Sequence, residues 1–112
     1  MTKYLVIYGS PVSAREQMAK ATPEQAKAGM DAWMAWAKKA GTALVDMGSP
    51  VGAAAKAAQS GKLSDVKSEI GGYSILQAES RDALAKLLAE HPHFHMPGAT
   101  IEVHELLKLP GM

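Results

Sequence analysis

The sequence predicts an α+β sandwich in the order β-α-β-β-α-β, with one antiparallel sheet and two helices on one of its faces. Short β-branched and aromatic runs at KYLVIY, TALVDM, YSILQA and TIEVHEL predict the strands. Two stretches with helical start and stop signals, one after Thr22 and one after Ser80, predict the helices. A chain of 112 residues with 47% hydrophobic and 21% charged residues is sized for one compact core, so a single domain over 1–112 is expected.

The first strand is Lys3 to Tyr8, closed by Gly9, Ser10 and Pro11. Thr22-Pro23-Glu24-Gln25 follows as a capping box with proline at the first helical position. Ala26, Met30, Trp33 and Ala37 then recur as one buried stripe, with Gly41 as the C-cap. On that stripe Trp33 packs in the core and Trp36 forms a half-buried edge. Met30, Met34, Met47 and Met96 read as flexible core filler. Thr42 to Met47 is the second strand, stopped by Gly48, Ser49 and Pro50. Val51 to Asp65 is rich in Ala, Gly and Ser and reads as a long connection with one helical turn in AAAKAA. Tyr73 to Ala78 is the third strand, pairing with the second. Ser80 caps a helix through Glu90, with Leu84, Leu87, Leu88 and His91 on one face and Pro92 as the stop. Thr100 to Leu106 is the fourth strand and LKLPGM a tail. This order is that of a ferredoxin-like sandwich.

Neither face of the first strand is polar, since Tyr4, Val6 and Tyr8 alternate with Leu5 and Ile7. Two helices cover one face only. The other predicts a second copy as its lid, with a mostly apolar space for a small ligand between the sheets.

Composition narrows the chemistry. With no cysteine, disulfides, thiolate zinc sites, iron-sulfur clusters and cysteine nucleophiles are excluded. The lysines are scattered among acids at a net charge of +1, so no nucleic-acid partner is expected. No run is apolar enough for a signal-peptide core or a membrane span, which points to the cytoplasm and to no membrane partner. GSPVG lacks the glycine spacing and lysine of a phosphate loop, and no cofactor is expected.

The C-terminal half, KSEIGGYSILQAES followed by a helix, HPHF and PGATIEVHEL, resembles the YCII-related or DGPF-domain family of the dimeric α/β barrel superfamily. The resemblance runs in element order over nearly the whole chain and is strongest from Lys67 to Val103. It implies a ferredoxin-like protomer, a homodimer and a cleft. The family's DGPF motif falls on Ser60-Gly61-Lys62-Leu63, where only the glycine matches, so the motif's carboxylate has no counterpart here.

Four histidines lie within HPHFHMPGATIEVHE. In an extended chain His91, His93 and His95 would share a side, as a tri-histidine zinc or copper site requires. Pro92, Pro97 and Gly98 break that extension, and no metal site is expected. The plain reading makes His91 a helix-terminal cation and the other two loop residues. The sharper reading has His91, in line with Leu84 and Leu88, supply an acid or base to the cleft. Glu102 and His104 form a second candidate pair, sharing the face opposite Ile101 and Val103, where a carboxylate can hold the imidazole's tautomer. Asp46 either joins that cleft or caps the turn after its strand. Trp36, Tyr8 and Tyr73 are the candidate pocket residues. Three functions follow: a homodimer enclosing a small organic molecule, open to cofactor-free proton transfer, elimination or hydrolysis; a non-catalytic ligand- or protein-binding module with structural histidines; and, ranked last because it rests on fold analogy alone, a cofactor-free oxygenase.

Overall fold

The computed structural model describes residues 1–111. The sequence's tail reading ends on Met112, which lies outside them. The elements are β1 (Thr2–Gly9), α1 (Ala14–Lys20), α2 (Pro23–Ala40), β2 (Leu44–Pro50), β3 (Ala54–Ala57), β4 (Leu63–Val66), β5 (Ile70–Ala78), α3 (Arg81–Ala89) and β6 (Thr100–Glu105). Four strands form one sheet in the order β2-β5-β1-β6, and β3 pairs with β4 alone. Every pairing is antiparallel. The chain is α+β, and no helix among the described residues is long and apolar enough to cross a membrane.

Local chemistry sets the helix boundaries. At α2 the Thr22 hydroxyl accepts the Gln25 N–H, and the Gln25 side chain accepts the Thr22 N–H. This reciprocal pair satisfies two otherwise orphaned donors. At α3 the Ser80 hydroxyl accepts the Ala83 N–H. The helix ends at Ala89, two residues before His91, which instead starts a short 3-10 turn, Pro92–His95.

The core lies between the helices and one face of the sheet. Tyr4, Val6 and Tyr8 of β1 and Leu76 and Ala78 of β5 pack there with Trp36 and Ala40 of α2 and Leu84 and Leu88 of α3. Burying side chains of this size removes roughly 2 kcal/mol each of unfavourable hydration.

Three expectations need correction. The stripe on α2 is rotated: Trp36 is the buried tryptophan and Trp33 the half-buried one, while Ala26 and Met30 are exposed. Met34 and Met47 are exposed as well, so the methionines do not fill the core; only Met96 is half-buried. Docking the Trp36 indole onto α3, where its Nε1 donates to the Leu87 carbonyl at 3.1 Å, fixes this rotation. The third correction concerns AAAKAA, which is strand rather than helix. Ala54 to Ala57 pairs with Leu63 to Val66 across a turn in which Gly61 takes φ +90. This hairpin is almost wholly exposed and its strands contact chiefly one another. Helix α1, absent from the sequence reading, buries no residue and therefore offers no apolar stripe to read.

Among the described residues the helical side chains of the core pack on this one face of the sheet, and none joins the core from the opposite face. Register places two rows across it: Ser49, Tyr73, Ile7, Glu102 and, beside it, Asp46, Ile75, Leu5, His104. The centre of this face is thus apolar, and both ends of each row are polar.

Candidate functional site

The candidate residues separate onto the two faces of the sheet. His91, Tyr8 and Trp36 come together on the helix side, whereas Tyr73, Glu102 and His104 occupy the open face.

The helix-side group is an aromatic cage. The His91 ring lies 4.2 Å from Trp36, 4.4 Å from Trp33 and 4.9 Å from Tyr8, centre to centre. It is 1% exposed. The strands and helices explain this convergence: Tyr8 is the last inward residue of β1, the tryptophans project from α2, and the end of α3 delivers His91 between them. His91 Nδ1 accepts the His93 backbone N–H at 3.0 Å, so the ring proton sits on Nε2, which has no hydrogen-bond partner. Burial, reinforced by the nearby His93, lowers the His91 pKa to about 4. An imidazole of this kind is neutral at physiological pH. It is enclosed by rings and does not reach the open face.

His93, expected in a loop, is also buried. Its Nε2 donates to the Gly9 carbonyl at 2.9 Å, with the Thr100 carbonyl at 3.1 Å, tying the paired ends of β1 and β6. The Tyr8 hydroxyl donates to Ser74 Oγ at 3.0 Å, and Ser74 donates in turn to the Met47 carbonyl at 2.8 Å. Desolvation raises the Tyr8 pKa, and the Ser74 bond opposes that shift. Trp33, Ser74 and His93 complete the cage; the sequence placed Trp33 in the core and His93 in a loop, and Ser74 was not singled out. Period-2 alternation puts Ser74 beside Leu76, and that is the one signal that could have found it.

On the open face His104 Nε2 stands 3.4 Å from Glu102 Oε1, with both side chains more than half exposed. Their backbones pair with Leu5 and Ile7, so the polar pair borders the apolar centre. Asp46 lies at the far end of the His104 row. Its Oδ1 accepts the Gly48 N–H at 2.8 Å inside β2, at the strand's irregularity rather than in a turn after it. His95 is exposed at the end of the 3-10 turn. Among the described residues no three His, Asp or Glu side chains converge to hold a metal ion. The arrangement can therefore do two things: the cage fixes the architecture, and the Glu102–His104 pair can hold and pass a proton at the rim of an apolar surface. No family model matches the chain, and no curated protein matches it.

Proposed function

We propose that the chain is a ferredoxin-like, YCII-related protomer that pairs through its open sheet face into a dimeric α/β barrel and binds a small organic molecule between the sheets. The observation that carries this reading is the four-residue apolar block of Leu5, Ile7, Tyr73 and Ile75, bordered by the Glu102–His104 pair on a face that no helix covers. The strand order and all-antiparallel pairing support the ferredoxin-like assignment. An apolar sheet face of this extent is stabilised by burial against its own copy, because a two-fold contact needs only one self-complementary patch.

The chemistry suited to this site is cofactor-free proton transfer, as in an elimination or a hydrolysis, with His104 as acid or base and Glu102 as its orienting carboxylate. His91 takes a structural part in this reading. The neutral imidazole in its cage favours a second reading for that face, in which the histidines hold the fold and the protein binds without turnover.

Native mass spectrometry of the untagged chain tests the proposal. A two-chain mass with a retained organic molecule is the expected outcome, and a Glu102→Gln, His104→Asn variant should keep that mass. A one-chain mass at micromolar concentration refutes the pairing. If the retained molecule is consumed by the native dimer and equally by the double variant, the assigned pair is wrong.

A further inference from the structure

In its two mapped rows the open face carries charge only at the edges of the sheet. Glu102 and His104 stand on β6, while Asp46 and Ser49 stand on β2, the opposite edge strand. Three strand spacings separate the two edges, so Asp46 and His104 of one chain lie roughly 14 Å apart and cannot meet within a protomer. Asp46 is exposed and takes part in no ion pair among the described residues.

Pairing through this face decides which edges meet. When two sheets pack with aligned strands, the two-fold axis runs either across the strands or along them. An axis across the strands stacks each strand on its own copy. Asp46 then faces β2, and Leu44–Pro50 includes no base. An axis along the strands, through the middle of the apolar block, instead reverses every row onto itself. Leu5 then faces Ile75 of the second copy, Ile7 faces Tyr73, Glu102 faces Ser49, and His104 faces Asp46. In the flanking row Lys3, which pairs with Gln77 in its own sheet, faces Gln77 of the copy. Only this axis gives Asp46 a basic partner, and it sets no like charges opposite each other.

We infer that Asp46 of one copy completes the Glu102–His104 site of the other, so that the dimer holds two composite sites, one at each lateral seam. This rests on the homodimer reading and adds to it an axis and a further site residue. Asp46 is a positioning residue: it holds the imidazole from the facing sheet, while Glu102 holds it from the same strand at 3.4 Å.

The chain has no cysteine, so engineered thiols are unique. Asp46→Cys chains carrying an isotope label are mixed with unlabelled His104→Cys chains and a bis-maleimide that spans the roughly 10 Å between packed sheets. A linked mixed pair is expected, at least tenfold above linking within either variant alone. Linking of His104→Cys chains to one another, or no link at all, overturns the inference. A second measurement leaves His104 in place. Labelled native chain is mixed with excess unlabelled Asp46→Asn, which keeps an acceptor for the Gly48 N–H, and the His104 ring resonances of the labelled chain are read. They are expected to shift although that chain is unaltered; resonances that move only when the variant is in the same chain overturn the assignment. Light scattering of the native chain separates the failures: a one-chain mass removes both the dimer and the composite site, whereas a two-chain mass without the mixed link removes the composite site alone.

Discussion

His91 makes the protein acid-sensitive at a single residue. An unfolded histidine takes up its proton near pH 6.5, but the caged ring resists protonation until about pH 4. Between those values the unfolded state binds the extra proton, so stability falls as pH falls and levels off below the native pKa. The full loss is of order 3 kcal/mol. Urea denaturation at pH 7.5, 5.5 and 4.5 should show this decline in the native chain. A His91→Asn variant, which keeps an acceptor for the His93 N–H without titrating, should lose most of the slope; an unchanged slope would assign it to other groups. Ser74→Ala leaves the Tyr8 hydroxyl and Met47 carbonyl without their shared partner, and a loss of about 1–3 kcal/mol in the same assay is expected. At this scale the sequence was partly legible. The inward side of His91 was readable from its spacing to Leu84 and Leu88, but its place past the end of α3, as the cap of the following turn, was not. The choice between Trp33 and Trp36 was not, because the rotation of α2 is decided by an indole reaching a carbonyl 51 residues away.

Elements whose signals are local were the readable ones. The capping box of α2, the proline stop after α3 and the alternating strands all act within a few residues, and α2 begins where its cap predicts, whereas the stop expected for the second strand at Gly48 to Pro50 fails because β2 runs from Leu44 through Pro50 around a bulge. The β3–β4 hairpin was unreadable for the converse reason: alanine and lysine carry weak strand preference, and the ladder partner of AAKA lies beyond a turn. Gly48, at the irregularity of β2 between Asp46 and Ser49, shows how much one position can hold. With φ +74 and an added Cβ falling 1.7 Å from the Tyr73 carbonyl oxygen, Gly48→Ala cannot be accommodated without breaking β2 from β5. Its expected cost exceeds about 3 kcal/mol, visible as a fall in Tm of ten degrees or more. Replacing Ala54–Val66 by a short Gly-Ser turn should, in contrast, leave the amide spectrum of the remaining sheet and its Tm nearly unchanged, since a lone hairpin adds little stability by itself. A collapse of the sheet in that variant would show that the hairpin is part of the core.

At the scale of the whole molecule, the protomer is a slab of 48 × 41 × 20 Å with a radius of gyration of 15.7 Å. A compact chain of this length has roughly 13 Å. The excess comes from having two layers and a projecting hairpin, and a single protomer therefore leaves one broad side unprotected. Ile75→Glu places a charge in the centre of that side without touching the helix-side core, so under the proposed pairing it should convert a two-chain particle to a one-chain particle with its helix content intact, as read by light scattering and circular dichroism. The open face was legible from the alternation in KYLVIY, while residue spacing carries no signal for a ligand. The cage has a further consequence for observation. The chain has two tryptophans, and both lie against the His91 ring, so the molecule emits from a single point where β1, α2 and the end of α3 meet. Its intrinsic fluorescence is thus a one-site lamp: dim or shifted light reports the opening of that junction, and light unchanged by a ligand means that the ligand has landed elsewhere.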